Sequence, residues 1–266
     1  MTPCAQEPRT WPIIVGGCYR CGTTLLRHLL NGHSRIHCGP ELSFLREVVV
    51  GFEADPYGHL RFVQSARAYV SDAQLLEIMG HAAVSIHRQA AQQAGKPRWA
   101  DKHPINVFHL PLWERLLGSD WHWVHVVRNP VDAVSSMIEI GFPLTLPPSL
   151  DEKIDCWRRM LDAGEAWRAE HPGRSHRVNY EELVREPDRV LRELMSALGE
   201  SFEPTQLVYC ADRDLLEDPK SREHSAPHAN SIGRGYTHLT PGEVRHIVER
   251  TAAHCERHAI HTPPPP

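Results

Sequence analysis

The residues best suited to chemistry lie near the N-terminus, in a polar loop bounded by glycines. The apolar run Ile13–Val15 precedes the loop and is typical of a buried strand in a parallel sheet. Gly17 and Gly22 then follow at the spacing G-x-x-x-x-G, and Thr23 and Thr24 open a segment with helical apolar spacing. A strand, a glycine-bounded loop and a helix N-terminus together predict a cradle of backbone N–H groups for a phosphate.

The loop differs from a nucleoside-triphosphate loop at the residue after its second glycine. There Thr23 replaces the lysine of G-x-x-x-x-G-K-[ST], which reaches the β- and γ-phosphates. Hydroxyls and backbone amides suffice to hold one phosphate, but they are poorly suited to stabilising a transferring γ-phosphoryl group. Arg20, inside the loop, is the cation best placed to compensate. The loop therefore predicts a nucleotide with a single 5′-phosphate and a different transferable group.

The longer stretch GGCYRCGTTLLRHLLNGH…CGPE resembles the 5′-phosphosulfate loop of sulfotransferases that use 3′-phosphoadenosine-5′-phosphosulfate (PAPS). It is most similar to the tyrosylprotein sulfotransferase branch, although Cys21 stands where that branch usually has serine. The interval from Thr24 to the C-G-P-E segment also matches, which aligns Glu41 with the catalytic glutamate of the branch. The loop residues that the resemblance implies in donor binding are Arg20, Cys21, Gly22, Thr23 and Thr24.

Two segments in the middle of the chain extend the resemblance. Lys102 aligns with a family lysine that contacts the sulfonate and the bridging oxygen. The pattern R-N-P-x-D-x-x-x-S resembles the family's 3′-phosphate signature, with Arg128 and Ser136 as the matching residues. An arginine and a hydroxyl that converge on one phosphate supply charge-assisted hydrogen bonds. Without the resemblance, Lys102 reads as a surface lysine and Arg128 as a helix-cap ion pair with Asp132.

Three residues later in the chain match PAPS-site residues of the family through shorter motifs. Tyr180 lies in a Y-E-x-L segment similar to one near the nucleotide in the family, although a core tyrosine with a bonded hydroxyl fits equally well. Ser221 matches a serine that touches the sulfonate in relatives. Arg234, within Ser231–Gly235, matches a basic residue that reaches the nucleotide. The polar, proline-punctuated stretch 212–235 is typical of a lid or binding loop.

Alternating strands and helices must position these residues. Arg128 and Lys102 each follow a predicted strand, and open α/β sheets bind ligands at the C-terminal ends of their strands. Helices are predicted over 72–94, 107–117, 149–170, 187–198 and 240–258. We therefore predict an α/β fold, a P-loop-like parallel sheet flanked by helices on both faces, as the resemblance to sulfotransferases implies. A single domain of residues 1–266 is expected, with a core at about 10–258 and a disordered tail over 259–266.

The composition argues against several other classes of protein. No window of the sequence is apolar enough to cross a bilayer, and roughly ten residues before the first strand leave no room for a secretion signal. A cytoplasmic protein without a membrane partner is therefore expected. The net charge of −4 argues against nucleic-acid binding. The 19 histidines are spread along the chain, which predicts mostly solvated side chains rather than a metal site.

The seven cysteines are expected to be free thiols, because no secretion signal accompanies them. Cys18 and Cys21 form a C-x-x-C pair, but the second pair that a zinc site would need is missing. Two interpretations of this pair stay open. The cysteines are either small residues that line a tight loop, or a redox dithiol whose thiol pKa the helix N-terminus lowers.

The resemblance implies in-line transfer of a sulfuryl group from PAPS to an acceptor hydroxyl, which leaves adenosine 3′,5′-bisphosphate (PAP). In this scheme Glu41 is the general base, while Lys102 and Arg20 stabilise charge on the sulfonate and the bridging oxygen. No metal is required, because these cations and the helix dipole neutralise the charge. The branch favours a protein or peptide tyrosine as acceptor, in an acidic context. A homodimer is expected by family analogy alone.

Alternatives to this function stay open from the sequence. A small-molecule or carbohydrate hydroxyl fits as acceptor, because the chain shows no dense basic cluster beyond Arg27, Arg35 and Arg46. A P-loop kinase is disfavoured by the missing lysine and by the lack of a convincing magnesium-binding aspartate. A noncatalytic nucleotide-binding protein is disfavoured by Glu41 and Lys102 at matching positions.

Overall fold

The structure is a computed structural model, and it describes residues 10–42, 65–141, 146–208 and 226–262. Within these residues the strands are β1 (Ile13–Gly17), β2 (Ile36–Cys38), β3 (Arg98–Lys102), β4 (His122–Val127) and β5 (Ser175–Asn179). The α-helices are α1 (Thr23–Asn31), α2 (Asp72–Gln93), α3 (Leu110–Leu117), α4 (Pro130–Ile140), α5 (Leu150–Glu170), α6 (Tyr180–Arg185), α7 (Pro187–Leu198), α8 (Arg234–His238) and α9 (Pro241–Arg257). Short 3-10 helices occupy Pro104–Phe108 and Pro204–Leu207.

The strands form one five-stranded sheet in the order β2-β3-β1-β4-β5. Every pairing is parallel, and Val15 of the central strand β1 is in register with Lys102 of β3 and Val124 of β4. All five residues of β1 are buried, as expected for a strand covered on both faces. Because parallel strands end at the same edge, the loop after β1 lies beside the ends of β3 and β4. The predicted parallel α/β sheet is confirmed.

Helices cover both faces of the sheet, and the side chains of β1 alternate between them. Ile13 and Val15 pack into a core that includes residues of α1 and α7. Ile14 packs into a second core with residues of α2, α3, α4, α5 and α9. This alternation is the two-residue period of a strand. In the part of the chain that the structure describes, no helix is long and apolar enough to span a bilayer.

The helix that carries Ser136 begins with the predicted cap. The side chain of Asn129 accepts a hydrogen bond from the backbone amide of Asp132, and Pro130 occupies the first turn of α4. The predicted capping box of Thr240 and Glu243 also forms at the start of α9. These local signals fixed the starting points of both helices.

Two expectations from the sequence need correction. The helix predicted over 107–117 is a 3-10 helix that ends at Phe108, followed by α3 from Leu110. Pro111 has no N–H to donate to the carbonyl four residues earlier, so one continuous helix cannot form. The tail predicted from residue 259 begins too early, because Ile260 is buried and its amide donates to the carbonyl of Cys255. Residues 263–266 lie outside the described ranges.

The expectation that most histidines are solvated is wrong for a large group of them. His87, for example, is buried, stacks on Trp99 and contacts the carboxylate of Asp101 at 2.9 Å. Such a histidine is stable inside because its ring nitrogen has a partner. The buried histidines in the described ranges are His28, His33, His87, His103, His122, His125 and His254. Among the described residues, no three His, Cys, Asp or Glu side chains are grouped so as to hold a metal ion.

Acid is expected to destabilise the protein between about pH 6.5 and pH 4. Burial, with nearby Arg27 and Lys102, lowers the pKa of His28 to about 4. Burial also lowers the pKa values of His109 and His176 to about 4. Since these histidines are neutral when folded and bind protons once unfolded, stability falls as the pH drops below the unfolded pKa. We expect a loss of about 1–2 kcal/mol per histidine at pH 5.

Urea unfolding at pH 7 and pH 5 measures this loss. The substitution His28→Gln removes one titrating group, so it should reduce the difference between the two pH values. An unfolding free energy that is equal at pH 7 and pH 5 in the wild-type protein would contradict the assignment.

Candidate active site

The phosphate loop connects β1 to α1, and two of its glycines are required by close contacts. Gly17 has φ +155°, and a Cβ there would lie 2.2 Å from the carbonyl oxygen of Val126. Gly22 has φ +95°, and a Cβ there would lie 2.3 Å from Cδ2 of Tyr180. Gly22 is also the N-cap of α1. Because glycine has no capping side chain, the first-turn amides of α1 are left for a ligand, as an anion site requires.

Three of the predicted catalytic and donor-binding side chains meet at the end of β3. The ammonium Nζ of Lys102 lies 3.1 Å from the hydroxyl Oγ1 of Thr24 and 2.5 Å from Oε1 of Glu41. The side chain of Lys102 is 1% exposed and that of Glu41 is 34% exposed. One buried cation therefore joins the phosphate loop to a carboxylate that solvent and ligands can reach.

The environment of Glu41 keeps its carboxylate ionised. Burial raises the pKa of Glu41, but the charges of Lys102 and His103 and the hydrogen bond from Lys102 outweigh that effect. Asp101 opposes them slightly, and the resulting pKa lies below the ordinary value. A carboxylate that is ionised at neutral pH is in the correct state to accept a proton.

His103 belongs to this group, although no motif in the sequence distinguishes it. Its Nε2 lies 3.8 Å from Oε2 of Glu41, and its backbone amide donates to the carbonyl of Val15. The sequence feature that could have identified His103 as a site residue is its position directly after Lys102, at the end of a predicted strand. Side chains at such an end line the ligand-binding edge of a parallel sheet.

A second group of polar residues lies at the end of β4. The guanidinium of Arg128 donates to the carbonyl oxygens of Arg20, at 3.0 Å, and Ser231, at 2.6 Å. Nε of Arg20 donates to the hydroxyl of Ser136 at 3.1 Å. Arg20 has φ +66°, a conformation that is uncommon outside glycine. Arg20 thus connects the two residues of the predicted 3′-phosphate pair to the loop.

Tyr180 lies beneath this group. The guanidinium carbon of Arg128 is 4.3 Å from the centre of the Tyr180 ring, a cation–π contact. The same ring packs where a side chain at position 22 would stand, and its hydroxyl hydrogen-bonds the hydroxyl of Ser231. Tyr180 is therefore a core aromatic with a bonded hydroxyl, and its predicted place near the nucleotide stays a prediction.

Asp132 holds the segment that contains Gly233 and Gly235 against α4, a role that the sequence did not indicate. Its two carboxylate oxygens accept hydrogen bonds of 2.8 Å from the backbone amides of Gly233 and Gly235. Its contact with Arg128 is longer, at 4.0 Å, so a helix-cap ion pair is not its main interaction. The acid in R-N-P-x-D was visible in the sequence, but its distant partners were not.

The two donor contacts predicted late in the chain, those of Arg234 and Ser221, both stay predictions. The guanidinium of Arg234 donates to Glu139 of α4 at 2.9 Å, and its side chain is 42% exposed. Arg234 is the first residue of α8, and this contact ties it to α4, the helix that carries Ser136. Its contact with a nucleotide stays a prediction. Ser221 lies outside the residues that the structure describes, and its predicted role stays untested.

The cysteine pair supports the simpler of its two interpretations. Cys18 and Cys21 are both buried in the loop. Burial, with hydrogen bonds to Cys156 and Cys21, raises the pKa of the Cys18 thiol well above its ordinary value. The expected lowering by the helix N-terminus is therefore wrong for Cys18, and a buried thiol of raised pKa is a poor nucleophile. Every cysteine in the described ranges is a free thiol, as expected.

Two of the three arginines considered for an acidic acceptor have structural partners. Arg27 is buried and donates to the carbonyl of Cys38 at 3.3 Å. Arg35 pairs with Glu200 at 3.0 Å. Arg46 lies outside the described residues. These contacts weaken the expectation of an acidic peptide.

Two candidate anion-binding positions lie near each other at this edge of the sheet. The first is the group of first-turn amides of α1, and the second contains Arg128, at the end of the neighbouring strand β4, with Ser136 of α4 joined to it through Arg20. Within the described ranges, Nε of Arg128 is buried and has no hydrogen-bond partner, which leaves a donor for an anionic oxygen.

Comparison with known proteins agrees with this arrangement. The sequence profile described as the sulfotransferase family matches residues 12–204. A protein of Caenorhabditis briggsae, named provisionally as a protein-tyrosine sulfotransferase, is 25% identical over 226 residues, covering 83% of this chain and 77% of that protein. Protein-tyrosine sulfotransferase 2 of Gallus gallus is 26% identical over 204 residues, covering 73% and 53%. The chain thus spans about half the length of this vertebrate relative.

Solved structures share the fold. The sulfotransferase domain of the Synechococcus PCC 7002 olefin synthase has a TM-score of 0.67 at 20% identity and covers 99% of both chains. Mouse sulfotransferase SULT7A1, solved in complex with PAP, has a TM-score of 0.51 at 13% identity and covers 94% of this chain and 86% of its own. At these identities the likeness concerns the fold alone.

Proposed function

We propose, on the premise that the chain belongs to the sulfotransferase family, that it transfers the sulfuryl group of PAPS to the phenol of a protein or peptide tyrosine. The observation that carries the proposal is the contact of Lys102 with both Thr24 and Glu41. A cation, a phosphate-loop hydroxyl and a candidate base are brought to one point. That combination is what transfer from a loop-bound donor to a hydroxyl requires.

We assign the donor to both anion-binding positions. The amides of α1 with Thr23 and Thr24 would hold the 5′-phosphate, and Arg128 with Ser136 would hold the 3′-phosphate. When bound, PAPS supplies an activated sulfuryl group and leaves as PAP, the ligand of the mouse enzyme of the same fold. Arg20 lies between the two positions through its contacts with Arg128 and Ser136. Its predicted role at the sulfonate stays a prediction.

In the proposed mechanism Glu41 accepts the proton of the acceptor hydroxyl while the new O–S bond forms. Lys102 donates to the bridging oxygen, which departs with the nucleotide as its bond to sulfur breaks. Without substrates, the two groups neutralise each other across 2.5 Å. Binding of PAPS and the acceptor hydroxyl must therefore separate Glu41 from Lys102. Glu41 is then available to the acceptor proton at the same time as Lys102 becomes available to the leaving oxygen.

The tyrosine acceptor has support from the chemistry and from the relatives. A phenol has a pKa near 10, so Glu41 can deprotonate it more readily than a sugar alcohol. The names of the nematode and chicken relatives refer to protein tyrosine. An acidic context has less support, because Arg27 and Arg35 are engaged in the fold. A homodimer and a cytoplasmic location stay predictions.

The test uses labelled PAPS or ATP with five acceptors: tyrosine peptides with acidic or neutral flanks, a serine peptide, a simple phenol and a sugar. We expect label from PAPS alone, on tyrosine peptides. Glu41→Gln should lower kcat by about 10²–10⁴-fold, the range for loss of a general base. The matched control is Glu114→Gln, which changes a carboxylate of similar exposure that pairs with Arg174 near the opposite edge of the sheet. It should keep the wild-type rate.

Three outcomes would count against the proposal, each in a different way. Transfer from ATP would refute the donor. Sulfation of the sugar but not of the peptides would refute the tyrosine acceptor and leave the reaction class intact. A wild-type rate in Glu41→Gln would refute the base.

A further inference from the structure

The two oxygens of the Glu41 carboxylate face different partners. Oε1 lies against the ammonium of Lys102 at 2.5 Å, and Oε2 faces Nε2 of His103 at 3.8 Å. The imidazole is buried, while the carboxylate is partly open to solvent. His103 is thus a fixed group on the side of the carboxylate that Lys102 does not occupy.

One hydrogen bond of the His103 ring indicates which ring nitrogen carries the proton in the neutral form. Nδ1 accepts a hydrogen bond from the backbone amide of Ile105, as the N-cap of the 3-10 helix Pro104–Phe108. A nitrogen that accepts cannot carry hydrogen, so neutral His103 has its N–H at Nε2. The ring therefore presents a donor to Glu41. In this tautomer Nε2 cannot take a proton from an acceptor hydroxyl.

We infer that His103 is a positioning residue for Glu41: it directs its Nε2–H at Oε2, so that Oε1 keeps its orientation after the substrates separate it from Lys102 and accepts the proton. The inference rests on the proposed function, because it concerns how the base is held. The charged and titratable groups that act on Glu41 are Lys102 and His103, which favour the carboxylate, and Asp101, which opposes it. Loss of the donor should leave a carboxylate that is less strictly oriented and more readily protonated.

Two substitutions separate this role from capping. Asparagine places an oxygen near the position of Nδ1 and is a favourable N-cap, but it is too short to reach Glu41. Glutamine places an N–H donor near the position of Nε2 and is a poorer cap. His103→Asn therefore keeps the cap and loses the donor, and His103→Gln keeps the donor and weakens the cap.

The measurements are the urea midpoint of unfolding, the pH dependence of kcat/KM, and the Glu41 pKa by carbon NMR with Glu41→Gln as assignment control. His103→Asn should keep the midpoint and lower kcat/KM about 3–10-fold. It should also raise the Glu41 pKa and the acid limb by about 0.5–1 unit. His103→Gln should lower the midpoint and raise the Glu41 pKa and the acid limb less than His103→Asn does, because it keeps the donor and loses only the charge of the imidazole.

An unchanged Glu41 pKa in His103→Asn would overturn the inference, as would identical pH profiles in the two variants. The NMR titration needs no substrate. If the protein sulfates none of the acceptors, the proposed function fails while the effect of His103 on Glu41 is still measured. A third outcome also overturns the inference. If His103→Asn shifts the Glu41 pKa but has the wild-type kcat/KM at a pH where Glu41 is fully ionised, His103 acts on Glu41 electrostatically and does not position it.

Discussion

Lys102→Met is expected to lower kcat for sulfuryl transfer by about 10²–10³-fold, the cost of removing one preorganised donor from a developing charge. The residue is fully buried, and its ammonium contacts both Thr24 and Glu41. Methionine has similar length and no charge, so it preserves packing and removes the donor. Burial would then raise the pKa of Glu41 without the opposing charge of Lys102. The acid limb of the kcat/KM profile should therefore move to higher pH, which steady-state kinetics at several pH values will measure.

Lys153→Met is the control for this substitution. Lys153 is a buried lysine of α5 whose ammonium donates to the backbone carbonyls of Pro147 and Pro148. Its loss should lower stability and leave kcat and the acid limb unchanged. Equal losses of kcat in the two variants would mean that a buried lysine matters only for folding, which would remove Lys102 from the mechanism.

The sequence predicted the positions of the candidate site residues well where these residues lie at strand ends. The loop after β1 and Lys102 at the end of β3 had to be neighbours once the sheet was parallel, and the register of Val15 with Lys102 shows that they are. Arg128 follows from the same reasoning, because β4 pairs with the other side of β1. Short-range signals such as the Asn129 cap were equally dependable. In each case a local pattern and the edge of the sheet sufficed.

The sequence could not predict contacts between distant segments. The role of Asp132 depends on the amides of Gly233 and Gly235, about a hundred residues away. Nothing local distinguishes an aspartate that binds the amides of a distant segment from one that caps a helix. His103 presents the same difficulty. Its Nδ1 contacts a neighbour in the sequence, Ile105, but its Nε2 faces Glu41, which is distant in the sequence.

Burial of charged and titratable groups was the other source of error. Arg27 is one of the three arginines considered for contact with an acidic acceptor, yet it is buried against the carbonyl of Cys38. His87 reads as solvated, yet Asp101 supplies the partner that makes burial favourable. A helical pattern shows which face is apolar, but it does not show where a carbonyl or carboxylate on another element will meet a polar side chain.

Arg128→Leu is expected to weaken binding of PAP by about 10–10²-fold, because the charge-assisted hydrogen bond of about 1.5–3 kcal/mol that its buried Nε would donate is lost. Calorimetric titration with PAP measures this loss without any acceptor. Adenosine 5′-monophosphate is the second ligand, since it lacks the 3′-phosphate. Ser136→Ala removes one neutral hydroxyl, so its effect should be smaller, about 3–10-fold.

The ratio of the two affinities separates recognition of the 3′-phosphate from disruption of the loop. Arg128 also donates to the carbonyls of Arg20 and Ser231, so its loss could disturb the loop and weaken both ligands together. We expect the preference for PAP over the monophosphate to collapse in Arg128→Leu. It should stay at the wild-type value in Arg174→Leu, whose guanidinium pairs with Glu114 near the opposite edge of the sheet. Equal weakening of both nucleotides in Arg128→Leu would show that this arginine only supports the loop, and the 3′-phosphate would have to be assigned to other residues.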